Sequence, residues 1–392
     1  MVDQFIQNEL GVKSGYYQSV SNCELSRRNI HESAQALASS VSSIEKLREV
    51  EFQGINIGIS VASSLISARR CTQLDVEECR GDIASYLFFS MLFVVSFLRA
   101  LAAVKVSDGD IFCFYNGRSY NTYPQSLIVE GFGKEIVYYE RMGDGESLRT
   151  QTCRIHDFLS TSHLVKAFWE GSEDGFKEER AKAFFETQRT NVFAEGFSKS
   201  FSAGSEYVVY FVSSEDEYAS LDPRITLSGI FATQREAVAW LIAWAGQQQR
   251  YRLVIRNHPN QASVCRRDFD YWHNLQGENV DIIPSDSIVS SYDLMRQSSK
   301  VLCFFSTAGI EAAYLGIPSI VLGNAVYKGL DAVYEPSSRE MLRSMLDTDI
   351  APKPAENALP HGYFSACYGL PMRLFKRLGF SRFHDYQNLF DG

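Results

Sequence analysis

Polar residues able to bind phosphate follow the predicted strands in the C-terminal half of this sequence. Each apolar run of strand length is followed directly by hydroxyl or acidic residues or, in one case, by a His-Pro pair. The carboxyl ends of parallel strands share one edge of a sheet, and open α/β folds bind their ligands there, so these residues are expected to converge. The members of this predicted phosphate site are Ser213, Ser214, His258, Pro284, Ser285, Ser287, Ser306, Thr307, Gly309 and Glu311.

The stretch from Lys300 to Gly323 contains the clearest of these clusters. Its pattern predicts a buried strand, a small-residue turn, a short helix and a second strand, which together form a parallel β-α-β unit. Backbone N–H groups at the start of a helix lack partners within the helix and attract anions. We therefore expect Ser306 and Thr307 to bind phosphate, although the same hydroxyls are typical helix caps. Glu311 either accepts hydrogen bonds from a ribose or stabilises the helix dipole at the surface.

His258 precedes Pro259 at the end of a predicted strand. A lone histidine there needs no function, because the proline fixes the turn. As a member of the array, it becomes a hydrogen-bond donor to a phosphate or a leaving group. The segment 213–217 is explained equally well as a helix N-cap with an acidic first turn.

Two predicted strands of the N-terminal half also end in residues that can do acid–base chemistry. A carboxylate in such a position removes a proton from a hydroxyl group, and an arginine binds acidic groups. A structural ion pair accounts for the Glu-Arg pair equally well, and the sequence does not choose among three candidate bases. The residues concerned are Asn116, Arg118, Glu140, Arg141, Asp144 and Glu146.

The composition is that of an ordinary globular protein, with 45% hydrophobic and 22% charged residues. The net charge of −9 argues against nucleic-acid binding, because phosphate backbones demand clustered Lys and Arg. Eight scattered cysteines predict reduced core residues and neither a disulfide framework nor a metal site. The N-terminus lacks the layout of a secretion signal, so we expect a cytoplasmic location.

Residues 83–98 form an uncharged apolar segment that is closed by Arg99. Because a membrane span usually needs about 20 apolar residues, a buried helix is preferred over a membrane anchor. The sequence contains neither a P-loop, nor a His-rich metal motif, nor a G-x-S-x-G elbow. Asp108-Gly109-Asp110 precedes its strand and predicts a turn rather than a metal site. We predict no metal and no cofactor.

Apolar runs of strand length alternate with helical segments along the chain. This alternation predicts an α/β fold in which helices cover both faces of parallel sheets. A chain of 392 residues suits two domains, which we place at 1–195 and 196–392. We also expect a glycine-spaced strand at 54–61, a solvated helical linker at 156–190 and a helix in the tail beyond 371.

Six segments together resemble bacterial capsule and surface-polysaccharide biosynthesis glycosyltransferases, over roughly residues 110–345. The most specific is STAGIEAAYLGIPSIVLGNAVYKGL, at 306–330. Such enzymes usually show Trp and Lys where Leu315 and Ile317 stand here, so one phosphate partner is lost, and Lys328 is a candidate replacement. The other segments are FYNGR (114–118), YYER (138–141), SSEDEYASL (213–221), LVIRNHPN (253–260) and IIPSDSIVSSYDLM (282–295).

The resemblance implies a GT-B fold, in which two Rossmann-like doubly wound parallel-sheet domains face a cleft. His258 and the 306–307 turn would hold the phosphates of a nucleotide-sugar donor, with Glu311 and the loop 284–287 near its nucleoside. His258 would also stabilise the leaving group. Glu140 or Asp144 would remove the acceptor's proton, and the acceptor-side residues would be Asn116, Arg118 and Arg141.

The activity implied is transfer of a sugar to a growing capsular or surface polysaccharide without a metal or cofactor. The acceptor would be a glycan or a lipid-linked glycan, and the protein would be cytoplasmic with peripheral contact with the inner membrane. Two alternatives remain open. A nucleotide-sugar epimerase of the same architecture would need no acceptor, and a non-catalytic scaffold of a polysaccharide assembly complex would need neither substrate.

Overall fold

The computed structural model describes residues 26–104, 106–142, 147–194, 201, 204–221 and 230–371. The chain forms two compact units. The first contains the residues up to 68 together with 73–137, and the second contains 69–72 together with the residues from 138 onward. The predicted domain boundary at residue 195 stays a prediction. The predicted helix beyond residue 371 lies outside the described residues.

The first unit is mainly helical. Serine side chains cap two of its described helices, α1 (Arg27–Ser40) and α2 (Ile44–Arg48), since Ser26 Oγ accepts from Asn29 N and Ser43 Oγ accepts from Lys46 N. By length and composition alone, α4 (Arg80–Ala103) could cross a membrane, and only 33% of its most apolar window is buried inside the protein, so the predicted buried helix stays a prediction. The helices are α1 (Arg27–Ser40), α2 (Ile44–Arg48), α3 (Gly58–Arg69), α4 (Arg80–Ala103) and α5 (Tyr123–Gly131).

The predicted strand at 54–61 is wrong. The chain instead makes a small hairpin, β1 (Glu51–Phe52) and β2 (Ile55–Asn56), and then enters α3. Gln53 and Gly54 adopt positive φ angles of 52° and 74°, which gives the tight turn between the two short strands. Of the apolar residues that suggested a strand, Ile55 lies in β2, whereas Ile59 and Val61 fall within α3, which buries seven of its twelve residues.

The second unit contains a five-stranded sheet that is parallel throughout, with the order β10-β9-β6-β7-β8. This order corresponds to the first five strands of the doubly wound Rossmann order 3-2-1-4-5-6, and the strand order reverses between the neighbours β6 and β9. All five residues of β6 are buried, as expected of a strand covered on both faces. The predicted α/β class is confirmed. The strands are β6 (Tyr207–Phe211), β7 (Arg252–Arg256), β8 (Val280–Ile283), β9 (Lys300–Cys303) and β10 (Ser319–Val321).

Helices cover this sheet, and two of them correct the expectation of a solvated linker at 156–190. Phe185 is buried and stacks on Tyr314, with ring centroids 4.2 Å apart. Gly362 lies so close to the chain at Ala181 that a Cβ would stand 2.8 Å from the Ala181 carbonyl oxygen. Ala181 and Phe185 therefore belong to the core, although most other residues of 156–190 are exposed or half-buried. The helices are α6 (Phe158–Glu170), α7 (Lys177–Ala194), α8 (Glu215–Ala219), α9 (Gln234–Ala245), α10 (Arg266–His273), α11 (Ser291–Gln297), α12 (Ala308–Tyr314), α13 (Arg339–Asp347) and α14 (Leu359–Cys367).

A second sheet has four strands in the order β11-β5-β4-β3. It is not the parallel sheet expected for the N-terminal half, because β4 pairs antiparallel with β5, and β5 with β11. Only five residues join β4 to β5, too few for the crossover that a parallel pair needs. The strands are β3 (Ile111–Tyr115), β4 (Glu135–Arg141), β5 (Ser147–Gln151) and β11 (Leu370–Pro371).

Candidate functional site

The loops that follow β6 and β9 are joined by hydrogen bonds at the point where the sheet changes direction. Ser213 Oγ accepts from the Phe305 N–H at 3.1 Å. Gln234 brackets the Ser213 peptide, since its Oε1 accepts from the Ser213 N–H at 2.7 Å and its Nε2 donates to the Ser213 carbonyl at 3.1 Å. Tyr218 stacks on Phe305 with ring centroids 3.8 Å apart. Ser213 is buried and belongs to the frame of the site.

The loops that follow β6 and β7 are held together by Arg70, which sequence reasoning missed. Its Nε donates to Asp216 Oδ2 at 3.2 Å and its Nη2 donates to the Asn260 carbonyl at 3.2 Å. Ser214 Oγ donates to the other oxygen of Asp216 at 2.8 Å, so the acidic first turn of α8 is fixed from two sides. Arg70 lies 146 positions from Asp216 in the sequence. No local pattern signals such a long-range contact.

His258 is oriented by a backbone hydrogen bond. Its Nδ1 accepts from the Asn260 N–H at 3.1 Å, so in the neutral ring the proton is on Nε2. Burial is the main reason why the pKa of His258 is lowered to about 4; the charges of Arg256 and Arg70 act in the same direction, and Asp216 opposes them. The ring is therefore neutral near pH 7. A neutral imidazole that presents Nε2–H is a hydrogen-bond donor suited to a phosphate oxygen.

The loop after β8 is held by Arg256 at the end of the neighbouring strand β7, another residue that the predictions missed. Its Nη2 donates to the Ser287 carbonyl at 3.0 Å, and its Nη1 donates to the Pro284 carbonyl. Burial lowers the pKa of Arg256 to about 10, so the guanidinium keeps its charge at neutral pH. Ser285 Oγ lies 3.2 Å from His273 Nε2. The sequence signal for Arg256 was its position as a charged residue directly after the apolar run 253–255.

The turn after β9 combines capping with close packing. Ser306 Oγ accepts from the Ala308 N–H at 3.2 Å, which is the capping alternative, while the Ser306 carbonyl accepts from the Tyr327 hydroxyl at 2.5 Å. Thr307 is exposed. Gly309 is required by packing, because a Cβ would stand 2.6 Å from the Tyr327 hydroxyl oxygen and 2.8 Å from Cys303 Sγ.

Glu311 is not a solvated surface acid. Burial raises the pKa of its carboxyl, and the hydroxyls of Tyr292 and Thr307 oppose that rise. A partly buried carboxyl beside this turn retains the ability to accept hydrogen bonds from a ribose, and that role stays a prediction.

The two acceptor-side residues after β3 lie in the first unit. Asn116 is buried and adopts a φ of 59°, and Gly117 follows with a φ of 75°, so the chain turns sharply at the end of the strand. Arg118 Nη1 donates to Ser67 Oγ at 3.1 Å. The turn is thereby fixed on α3.

The two residues predicted at the end of β4 lie in the second unit, together with His258. Glu140 Oε2 is 3.9 Å from Nε2 of His156, a residue that the predictions did not single out. Arg141 lies opposite Leu148 in the pairing of β4 with β5. Asp144 lies outside the described residues.

One disulfide bond, between Cys71 and Cys265, contradicts the prediction that all eight cysteines are reduced. Their sulfurs and Asp268 form a cluster with the composition of a metal site, within the part of the chain that the structure describes. Asp268 accepts from the Thr72 N–H at 2.6 Å and from Arg235 Nη2 at 2.6 Å. Because the sulfurs bond each other and the carboxylate has these donors, this arrangement ties residues 69–72 to α10.

The predicted replacement for the missing lysine is already engaged. Lys328 Nζ lies 3.4 Å from Asn324 Oδ1 and 3.6 Å from Glu335 Oε2. The cations next to His258 are instead Arg70 and Arg256.

The parallel sheet and its polar carboxyl edge define an α/β protein with a Rossmann-like ligand-binding half. Residues 203–340 match the family model described as capsule polysaccharide biosynthesis protein. This match covers about a third of the chain and includes β6 to β10. The resemblance to capsule polysaccharide biosynthesis proteins is therefore confirmed for this part of the chain.

Several solved structures are similar at low identity. Two are Thermosulfurimonas dismutans KpsC, a beta Kdo 2,4 transferase and a beta Kdo 2,7 transferase. They align with 65% and 67% of this chain and 79% of their own, at 12% and 14% identity, each with a TM-score of 0.41. A Methanocaldococcus jannaschii UDP-GlcNAc 2-epimerase in complex with UDP-GlcNAc and UDP aligns with 70% of this chain and 80% of its own, at 12% identity and a TM-score of 0.29. At these identities and TM-scores, the similarities do not assign an activity to this chain. No curated protein matched the sequence.

Proposed function

We propose that this protein is a GT-B glycosyltransferase that moves a sugar from a nucleotide-sugar donor to a growing capsular or surface polysaccharide. One observation carries the proposal. The loops after β6, β7 and β9 are tied together at the carboxyl edge of the sheet by Ser213, Phe305 and Arg70, and a neutral His258 lies among them. The family match to residues 203–340 covers the same sheet and supports a role in capsule synthesis.

The chemistry requires a site that accepts the charge of a departing phosphate. The acceptor's hydroxyl oxygen bonds to the anomeric carbon as its proton passes to a base on the acceptor side, the bond from that carbon to the phosphate oxygen breaks, and the nucleotide leaves with the electron pair. His258 donates a hydrogen bond from Nε2 to the phosphate, while Arg70 and Arg256 supply positive charge next to it. With these donors in place, we propose transfer without a metal or a cofactor.

The remaining assignments belong to the same proposal. Thr307 and Glu311 contact the donor's phosphate and ribose, and the loop 284–287 contacts its nucleoside. The acceptor is a glycan or a lipid-linked glycan, with Asn116, Arg118 and Arg141 on its side. The protein acts in the cytoplasm, with peripheral contact with the inner membrane.

Product analysis tests this function. The protein is incubated with UDP-, GDP-, CMP- or dTDP-sugars, with and without capsular oligosaccharide, and the products are separated by mass. We expect the oligosaccharide to gain one sugar with one donor, and His258→Ala to abolish that gain. An isomerised sugar nucleotide formed without acceptor indicates the epimerase instead. Capsule output that survives His258→Ala in cells indicates the scaffold.

A further inference from the structure

A histidine that the donor site does not use faces a carboxylate at the end of β4. His156 Nε2 lies 3.9 Å from Glu140 Oε2, and the two side chains keep 28% and 25% of their exposed area. This separation is too long for a hydrogen bond and is right for an electrostatic pair. Both side chains are half-buried, and Glu140 also lies opposite Arg149 in the pairing of β4 with β5.

The turn that carries His156 is held rigidly by buried side chains of β5. Gln151 Nε2 donates to the Arg154 carbonyl at 2.9 Å. Arg149 Nη2 donates to the Ile155 carbonyl at 3.3 Å. Two consecutive carbonyls directly before His156 are therefore fixed. A rigid support is what a group that reacts with a substrate needs.

On its other side, the turn is fixed by the start of α6. Asp157 caps the helix, since its Oδ1 accepts from the Ser160 N–H at 3.1 Å and its Oδ2 accepts from the Ser160 hydroxyl at 2.7 Å. His156 is thus held between a clamped turn and a capped helix.

The same turn reaches the carboxyl edge of the parallel sheet. Phe158, two residues after His156, packs on Phe305 and Tyr218, with ring centroids 5.8 Å and 6.1 Å apart. Phe305 directly precedes the Ser306-Thr307 turn of the predicted donor site. The segment that carries His156 is therefore packed, through Phe158, on the residue that leads into the turn proposed to bind the donor's phosphates.

We propose that His156 is the general base of the transfer reaction and that Glu140 is its positioning residue. This inference rests on the proposed function. The imidazole takes the proton from the acceptor hydroxyl as its oxygen bonds to the anomeric carbon, while the nucleotide leaves with the electrons of the broken bond. The Glu140 carboxylate stabilises the imidazolium that forms. The other charged groups around this turn are Arg149 on β5 and Asp157 at the start of α6.

The experiment compares His156→Gln with His163→Gln, a matched change at an exposed histidine on α6. Donor binding, melting temperature and the rate of sugar transfer are measured for both variants and for the wild type. We expect His156→Gln to bind donor normally and to lose about 100-fold or more in kcat, while His163→Gln keeps the wild-type rate. A His156→Gln rate within about threefold of wild type overturns the inference.

A pH profile separates a base from a structural residue. Transfer by the wild type should rise with pH as His156 loses its proton, and Glu140→Gln should move that rise to lower pH because the imidazolium loses its carboxylate. An unchanged profile in Glu140→Gln overturns the assignment even if His156→Gln fails to fold. Absence of transfer by the wild type with every donor overturns the proposed function and this inference together. If the wild type transfers sugar, and His156→Gln and Glu140→Gln transfer it at the same rate and with the same pH profile, only this inference is overturned.

Discussion

Ser213 Oγ accepts a hydrogen bond from the backbone N–H of Phe305 at 3.1 Å, which joins the loops of two adjacent strands where the sheet changes direction. The bond is buried, and it fixes the backbone that leads into the Ser306-Thr307 turn. The Ser213 side chain, which is predicted to contact the donor, thus also fixes the backbone that leads into the turn predicted to bind phosphate.

Replacing Ser213 should destabilise the protein. Ser213→Ala leaves the Phe305 N–H buried without its acceptor, which typically costs about 1–3 kcal/mol. Urea unfolding measures the change in free energy, and Ser337→Ala, at an exposed serine, is the control. Equal stability of the two variants would show that the bond contributes nothing.

Stability should fall in acid in part through His258. Its pKa is lowered to about 4 in the folded protein, against about 6.5 in an unfolded chain. The contribution of the neutral ring is therefore complete above about pH 6.5 and is lost as the pH falls towards 4. His258→Gln should reduce the loss of unfolding free energy over this window by on the order of 1–3 kcal/mol. His361, whose pKa burial also lowers to about 4, is present in both proteins and cancels. If the wild type and His258→Gln lose the same unfolding free energy over this pH window, the lowered pKa of His258 is refuted.

Gly309 should tolerate no side chain. A Cβ there would stand 2.6 Å from the Tyr327 hydroxyl oxygen and 2.8 Å from Cys303 Sγ, so Gly309→Ala should cost about 1–3 kcal/mol of unfolding free energy. Gly81→Ala is the control, because nothing lies within 4 Å of its Cβ position. A Gly309→Ala protein as stable as the control would contradict the packing described for this turn.

The disulfide bond should stabilise the second unit. Cys71→Ser or Cys265→Ser should lower the free energy of unfolding by about 2–4 kcal/mol. A reducing agent should lower the melting temperature of the wild type and leave both variants unchanged. Cys367→Ser, at a free cysteine, should behave as the wild type does. If the reducing agent leaves the melting temperature of the wild type unchanged, the disulfide bond does not stabilise the protein.

The sequence predicted the elements whose signal is local. The run at 207–212 is apolar throughout, and β6 occupies it because a strand covered on both faces buries every residue. The segment 54–61 misled because apolar residues alternate there with glycine and polar residues, whereas the chain turns after Phe52 and enters a helix at Gly58. The antiparallel pairing of β4 with β5 follows from the short connection between them, which sequence reasoning did not weigh.

The parts of the site that could not be predicted depend on distant contacts. Arg70 reaches Asp216 and Asn260 across long stretches of chain, and His156 meets Glu140 through the pairing of β4 and β5. Neither has a neighbouring motif. His258 was found because the proline beside it and its place after a strand are both local signals.

Titration of sugar nucleotides into the protein tests the central claim most directly. Heat of binding is recorded for UDP-, GDP-, CMP- and dTDP-sugars with the wild type and with His258→Ala, with His163→Ala as the matched control. The account predicts that one donor class binds to the wild type and to the control, and that His258→Ala weakens its binding about tenfold or more, as expected for loss of a charge-assisted hydrogen bond. Failure of all four to bind the wild type, or equal affinity in His258→Ala, would contradict it.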